Sequence, residues 1–163
     1  MTFSFRPAAE ADFERLLDLS IRTMRPQLEA AGRWDPVRRR ARMRAGFDPA
    51  TMRLIEQDGR LAGCVAVTLP PGGDVELSAF YIEPALQGRG LGAAVLRALL
   101  AELAGREIRL EVLKGSPAAR LYERHGFRRT GETAHDWLYA RPAQSAPFPP
   151  TPADLSKPDH PEP

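Results

Sequence analysis

Tyr81-Ile82-Glu83-Pro84-Ala85-Leu86-Gln87-Gly88-Arg89-Gly90-Leu91-Gly92-Ala93 decides how this chain is read. The strand Val75–Ile82 feeds a glycine-dense turn, and the turn opens a helix over Leu91–Ala104. The first N–H groups of a helix have no partner inside it, and that end of the dipole is positive. Gly88, Gly90 and Gly92 lack Cβ atoms, so an anion can approach the backbone closely. Strand, glycine turn and helix start together make a phosphate-binding device. The plainer alternative is a tight turn with small residues for helix–sheet packing. Gly88-x-Gly90-x-x-Ala93 also fits the permissive dinucleotide fingerprint, with Glu111 near the ribose-binding position. Against that stand Pro84-Ala85-Leu86-Gln87, which separate the strand from the first glycine. Too little chain also follows for further strand–helix units. A Walker motif is excluded, because no Gly-Lys-Ser/Thr follows the turn.

Outward from the turn, the apolar spacing gives a short strand at Thr2–Arg6, stopped by Pro7. Phe13, Leu16, Leu17, Ser20, Ile21 and Met24 lie on one face of a helix, with Glu10 and Asp12 in its first turn. Pro26 is expected to break or kink that helix. Asp35-Pro36 starts a second helix, with a capping residue followed by proline at the first helical position. Arg38, Arg39, Arg40, Arg42 and Arg44 cover most of its circumference except the Val37–Ala41 line. They read as a solvated face, with a rim for an acidic partner or substrate as the functional alternative. Met52–Gln57 and Leu61–Leu69 form a hairpin about Asp58-Gly59. Glu107–Val112 is a strand, Ser116-Pro117 caps a helix ending near His125, and Phe127–Thr130 and His135–Arg141 close the fold. This β-α-α-β-β-β-α-β-α-β-β order predicts an α+β, mixed-sheet architecture rather than a regular doubly wound one.

Two segments together carry a family resemblance. Gln87-Gly88-Arg89-Gly90-Leu91-Gly92 resembles the pyrophosphate loop of the GNAT superfamily of acetyl-CoA-dependent N-acetyltransferases. Leu110-Glu111-Val112-Leu113 through Ser116, then Leu121-Tyr122 and Gly126-Phe127, resembles the second motif of the same family. The resemblance covers residues 2–141 and implies a mostly antiparallel sheet of about seven strands flanked by four helices. It implies acetyl transfer to a primary amine by direct attack, with both substrates bound. A noncatalytic acyl-CoA-binding module on the same fold is the alternative, and homodimers occur among many members.

The resemblance also implies site roles. The strand Val75–Ile82 would splay from Glu107–Val112, with the pantetheine arm filling the gap and bonding Phe80 and Ile82 backbone groups. The pyrophosphate would sit on the amides of Gln87, Gly88, Arg89, Gly90, Leu91, Gly92 and Ala93. Ser116 stands where the family usually has a capping asparagine and would face the pantetheine. Arg89, Arg120 and Arg124 would screen the remaining phosphates. Tyr122 would be the general acid toward the CoA sulfur. Glu76 is the favoured base, with Glu111 or solvent as the alternatives. The acceptor would lie between Met24–Trp34 and Gly131–Trp137, where Glu29, Asp35, Glu132 and Asp136 would attract a cationic amine. Trp34 and Trp137 would wall that groove, and His135 is a further candidate to face it.

Composition narrows the rest. The chain has 163 residues, which suits one core. Half of its 16 prolines fall in residues 142–163, so a domain over 1–141 is expected to precede a disordered tail. That tail holds Lys157 against Asp154, Asp159 and Glu162, so the domain is more basic than the net +2 of the whole chain. Cys64 is the one cysteine, which allows no internal disulfide. His125, His135 and His160 lack metal-ligand spacing, so no metal is expected. No apolar stretch reaches the roughly 20 residues of a membrane span. The N-terminus shows no basic segment followed by an apolar one, so a cytoplasmic protein is expected. Lysine occurs only at Lys114 and Lys157, amid much Ala, Pro and Leu. That pattern points to a GC-rich bacterial genome rather than to nucleic-acid binding.

Overall fold

The computed structural model describes residues 2–144. The disorder expected of the tail falls, from residue 145 on, outside the described residues. Just before that point the Gln144 N–H donates to the Ala104 carbonyl at 2.8 Å.

Seven strands form one sheet in the order β1-β2-β3-β4-β5-β7-β6. The strands are β1 (Ser4–Pro7), β2 (Met52–Gln57), β3 (Arg60–Thr68), β4 (Val75–Ile82), β5 (Ile108–Leu113), β6 (Arg128–Glu132) and β7 (Asp136–Arg141). Four helices flank them: α1 (Phe13–Ala30), α2 (Pro36–Gly46), α3 (Leu91–Glu102) and α4 (Ala118–Arg124). Every neighbouring pair of strands is antiparallel except β4–β5. The antiparallel pairs β2–β3 and β6–β7 need only short turns. The parallel pair needs a crossover, which α3 supplies.

Period-2 alternation sends the strands' apolar side chains to two faces, and each face has its own core. On one face, Leu91, Val95, Leu96 and Leu99 of α3 and Tyr122 of α4 pack on Val65, Leu77, Ile108 and Leu110. Burying a leucine there contributes about 1.5–3 kcal/mol. On the other, Phe13, Leu16 and Leu17 of α1 and Met43 of α2 pack on Met52, Leu54, Cys64 and Ala66. The sheet therefore separates an α1/α2 side from an α3/α4 side. Among the described residues, no helix is long and apolar enough to cross a membrane.

Two local expectations are corrected. Helix α1 runs through Pro26 and ends only at Ala30. Proline removes the N–H that would meet the Arg22 carbonyl, and the remaining turns hold. Gly32, at φ +67°, then turns the chain, with Arg33 N–H bonded to the Leu28 carbonyl at 2.8 Å.

The arginines of α2 are not one solvated face. Asp35 caps the helix by accepting from the Arg38 amide at 3.0 Å. Asp35, Arg38, Arg39, Arg42, Met43 and Gly46 follow at i, i+3, i+4, i+7, i+8 and i+11, which is one helical face. The middle of that face is buried: Arg39 is only 9% exposed and Met43 4%, whereas Val37 on the other side is 78% exposed. Arg40 and Arg44 lie outside, where they pair with Glu14 and Glu10. The sequence count placed arginine around the whole helix, and the packing against α1 and β4 sorts it into two populations.

Candidate active site

The parallel pairing of β4 with β5 is brief. It covers Val75–Ile108 and Glu76–Arg109 only. Beyond Glu76 the two strands part, while β5 keeps its pairing with β7 through Leu113. The expected splay is thus present, and it leaves one edge of β4 without a strand neighbour.

The backbone of β4 explains what faces that edge. Its register on β3 shifts between Cys64–Tyr81 and Ala66–Ser78. The extra residue is accommodated at Ala79, which takes the left-handed conformation at φ +47°. A bulge of this kind re-aims the peptide groups beside it, and a non-glycine residue there carries strain of about 1–3 kcal/mol. The buried Cys64 thiol donates to the Ala79 carbonyl at 3.2 Å and braces the bulge from behind. Burial pushes that thiol up to about 12, so Cys64 stays protonated and serves packing. Glu83 N–H donates to the Ala62 carbonyl at 2.8 Å. Alternation along the strand then turns the Phe80 and Ile82 backbone groups toward the gap.

Past β4 the chain makes one short turn, Pro84–Leu86, before the glycines. The Gln87 side-chain amide donates to the Ile82 carbonyl at 3.0 Å and ties the loop to the strand end. Gly88 and Gly90 have φ of +76° and +83°, and Gly90 is the N-cap of α3. Left-handed backbone at both positions is what demands glycine there. A Cβ on Gly88 would meet nothing within 4 Å, so the loop is open on that side. The first amides of α3 are free of intrahelical partners.

A cleft of about 620 Å³ follows the gap from this loop through the sheet. Phe80, Ile82, Gln87, Gly88, Gly90, Gly92, Ala93 and Ser116 line it, as do Tyr122, Glu76 and Glu111. Ser116 accepts from the Ala118 amide at 3.2 Å and so starts α4 beside the gap. Two loop residues lie elsewhere: Arg89 is exposed off the cleft, and the Leu91 side chain is buried in the α3/α4 core. Of the arginines expected to screen phosphates, Arg124 lines the cleft, and Arg89 and Arg120 do not.

The two ends of the cleft differ in chemistry. Tyr122 reaches the gap from α4, its ring edge-on to Phe127 at 5.6 Å. Burial, with Tyr81 close by, holds its phenol far above the ordinary tyrosine value. Val75 and Leu77 point to the α3/α4 core, as do Leu110 and Val112. Glu76 and Glu111 therefore sit on the α1/α2 face, where both are exposed to the cleft. Tyr81 lies on that face too; burial raises its phenol, and the guanidinium groups of Arg39 and Arg42 oppose the rise.

Most of the expected acceptor groups lie off the cleft. Glu29 pairs with Arg25, and Glu132 with Lys114. Trp34 lies under Arg25, and Trp137 under Lys114 and Arg129. His135 is exposed away from the groove. Asp35 and Asp136 line it, beside Arg33, Arg38, Arg39 and Arg42, which the sequence reading had not placed there. The three-and-four spacing from Asp35 was the available signal. Among the described residues, no group of three or more His, Cys, Asp or Glu side chains is arranged to hold a metal ion.

Residues 13–127 match the acetyltransferase (GNAT) family. The chain belongs to that family. Within it, this GNAT chain is 34% identical over 120 residues to a mycothiol acetyltransferase of Cellulomonas flavigena, covering 65% of this chain and 34% of that protein. A mycothiol acetyltransferase of Clavibacter sepedonicus is 40% identical over 102 residues, covering 60% of this chain and 32% of that protein. The GNAT chain thus spans about a third of the length of the curated relatives it matches. Its fold is that of the ribosomal-protein-S18-alanine N-acetyltransferase from Escherichia coli, with a TM-score of 0.68 at 21% identity over 90% of this chain and 97% of that one. It is also that of the PaiA N-acetyltransferase from Thermoplasma acidophilum in complex with coenzyme A, with a TM-score of 0.68 at 16% identity over 87% and 99%.

Proposed function

We propose that this chain is an N-acetyltransferase that moves an acetyl group from acetyl-CoA to a primary amine while both are bound. The parted β4 and β5 strands carry the proposal. They leave an unpaired strand edge that runs into the open amides of a helix N-terminus. An amide-bearing arm needs the first, and a diphosphate needs the second. The residues fit an acyl-CoA. Phe80 and Ile82 would bond its arm, and the amides from Gly88 to Ala93 would take the diphosphate; the Gln87 amide, expected to join them, donates instead to the Pro84 carbonyl at 3.2 Å. Ser116 lines the arm's path.

Acetyl-CoA supplies an activated thioester carbonyl. The chain's part is to orient it, to place an N–H where negative charge grows, and to move two protons. The Phe80 amide, re-aimed by the Ala79 bulge, is the donor to the carbonyl oxygen. Glu76, on the acceptor face, takes the proton of the incoming amine directly or through water. Glu111 is the other carboxylate on that face. The Tyr122 hydroxyl, on the opposite face, donates to the departing sulfur. In balance, the C–S bond breaks and an amide C–N bond forms. The amine gives up one proton, and the thiolate gains one.

A thiol-release assay with acetyl-CoA and a panel of primary amines tests this reading. Release of CoA thiol is expected only when an amine is added. Glu76→Gln is expected to lower kcat by about 10²-fold at pH 7, the low end for loss of a general base. Glu111→Gln is expected to change it little, and the reverse order would move the base to Glu111. CoA binding without amine-dependent release from any member of the panel would overturn transfer in favour of a noncatalytic acyl-CoA-binding module.

A further inference from the structure

The acceptor end of the cleft sets four arginines beside four carboxylates. Arg38, Arg39 and Arg42 share the inward face of α2, and Arg33 precedes it. Asp35, Glu76, Glu111 and Asp136 are the carboxylates that line the same cleft. Among the described residues, none forms an ion pair with these four arginines, whereas the outward Arg40 and Arg44 are both paired. Arg39 is the most exacting case. The residue is only 9% exposed, and its Nε has no hydrogen-bond partner. It lies beside Tyr81, on the α1/α2 face that also carries Glu76.

A buried guanidinium Nε without an acceptor is costly to keep. Its planar donor fork matches a carboxylate or a phosphate-type group, with charge-assisted bonds about twice as strong as neutral ones. Resting on the transfer reading above, we infer that the acceptor amine also carries an anionic oxygen group, held by Arg39 with Arg38 and Arg42 beside it. The substrate spans Tyr81. Its amine faces Glu76 and the thioester, and its anion faces α2. The expectation that this groove attracts an acceptor simply through positive charge on the substrate is replaced by recognition of an amine and an anion at separate points.

The test compares matched acceptors in the thiol-release assay. Each α-, β- or γ-amino acid is run against the amine left when its carboxylate is removed, and against its carboxamide. Aminoalkylphosphonates form a separate arm that distinguishes phosphate-type from carboxylate acceptors. At least one anionic acceptor is expected to exceed its uncharged partner in kcat/KM by about tenfold or more, the scale of one charge-assisted bond. Arg39→Met is expected to reduce that preference by about 10- to 100-fold with CoA affinity retained. The same variant is expected to melt higher, because it removes a buried charge whose Nε has no partner. Arg42→Gln, at an exposed position, gives a second and smaller loss of preference without a folding concern. Arg40→Gln, on the outer face, is expected to leave the preference unchanged. Equal use of anionic and uncharged acceptors overturns the inference while leaving acetyl transfer intact. So does a preference that survives both Arg39→Met and Arg42→Gln, or a loss confined to CoA binding. Absence of transfer to every amine overturns the transfer reading, and this inference with it.

Discussion

Replacing Tyr122 by phenylalanine is expected to lower kcat by about 10²-fold, the lower end for loss of a positioned proton donor, with CoA affinity nearly unchanged. The phenylalanine keeps the ring, and so keeps the edge-on contact with Phe127 and the burial beside α3. Only the hydroxyl is lost. That hydroxyl belongs to a phenol raised by burial and by the nearby Tyr81, so it is protonated throughout the neutral range. Single-turnover rates with saturating acetyl-CoA check this directly. The pH–rate profile should show no step from Tyr122 between pH 6 and 9, and an unchanged kcat in the variant would remove it from the reaction.

Gly63→Ala is expected to be the most damaging single-methyl addition in the sheet. A Cβ on Gly63 would stand 2.4 Å from the Tyr81 carbonyl oxygen, and 3.1 Å and 3.3 Å from the Ile82 and Ile55 side chains. The side-chain ends can rotate, but the carbonyl is held by the sheet, so β4 must move. The cost is about 1–3 kcal/mol, a fall in Tm of roughly 3–10 °C for a domain of this size. Because Tyr81 adjoins the Ala79 bulge, the displacement also shifts the Phe80 amide, and kcat should fall even where the protein is fully folded. Gly131→Ala is the control. Its Cβ would meet only the flexible end of Leu138 at 3.5 Å, and the change in stability should stay within about 0.5 kcal/mol. Thermal melts and kcat measured side by side separate the two effects.

Much of the frame was legible because local signals agreed with it. Asp58-Gly59 set the β2–β3 hairpin, and Pro70-Pro71-Gly72-Gly73 isolated β4 so cleanly that Val75–Ile82 is its observed extent. Gly88 and Gly90 announced the loop because a left-handed backbone admits few other residues. The bulge at Ala79 had no such marker: its conformation is imposed by pairing with β3 and by the Cys64 thiol, neither of which is local. Arg39 was hidden for a related reason. Helix α2 has no apolar stripe, so the three-and-four spacing from Asp35 groups Arg38, Arg39 and Arg42 on one face without saying that this face turns inward. Contact with α1 and with Tyr81 of β4 decides that. Glu132 was misplaced likewise, since it meets Lys114 only once the chain is folded; Glu29 is instead taken by Arg25 one turn back on the same helix.

Residue-resolved amide hydrogen exchange, measured with and without CoA, tests the central claim most directly. New protection is expected at Phe80 and Ile82 in the gap, and from Gly88 to Ala93 at the start of α3. The amides of β1, β2 and β6 should be unaffected. Protection by CoA elsewhere, or protection of the Gly88–Ala93 amides by NAD and not by CoA, would contradict it.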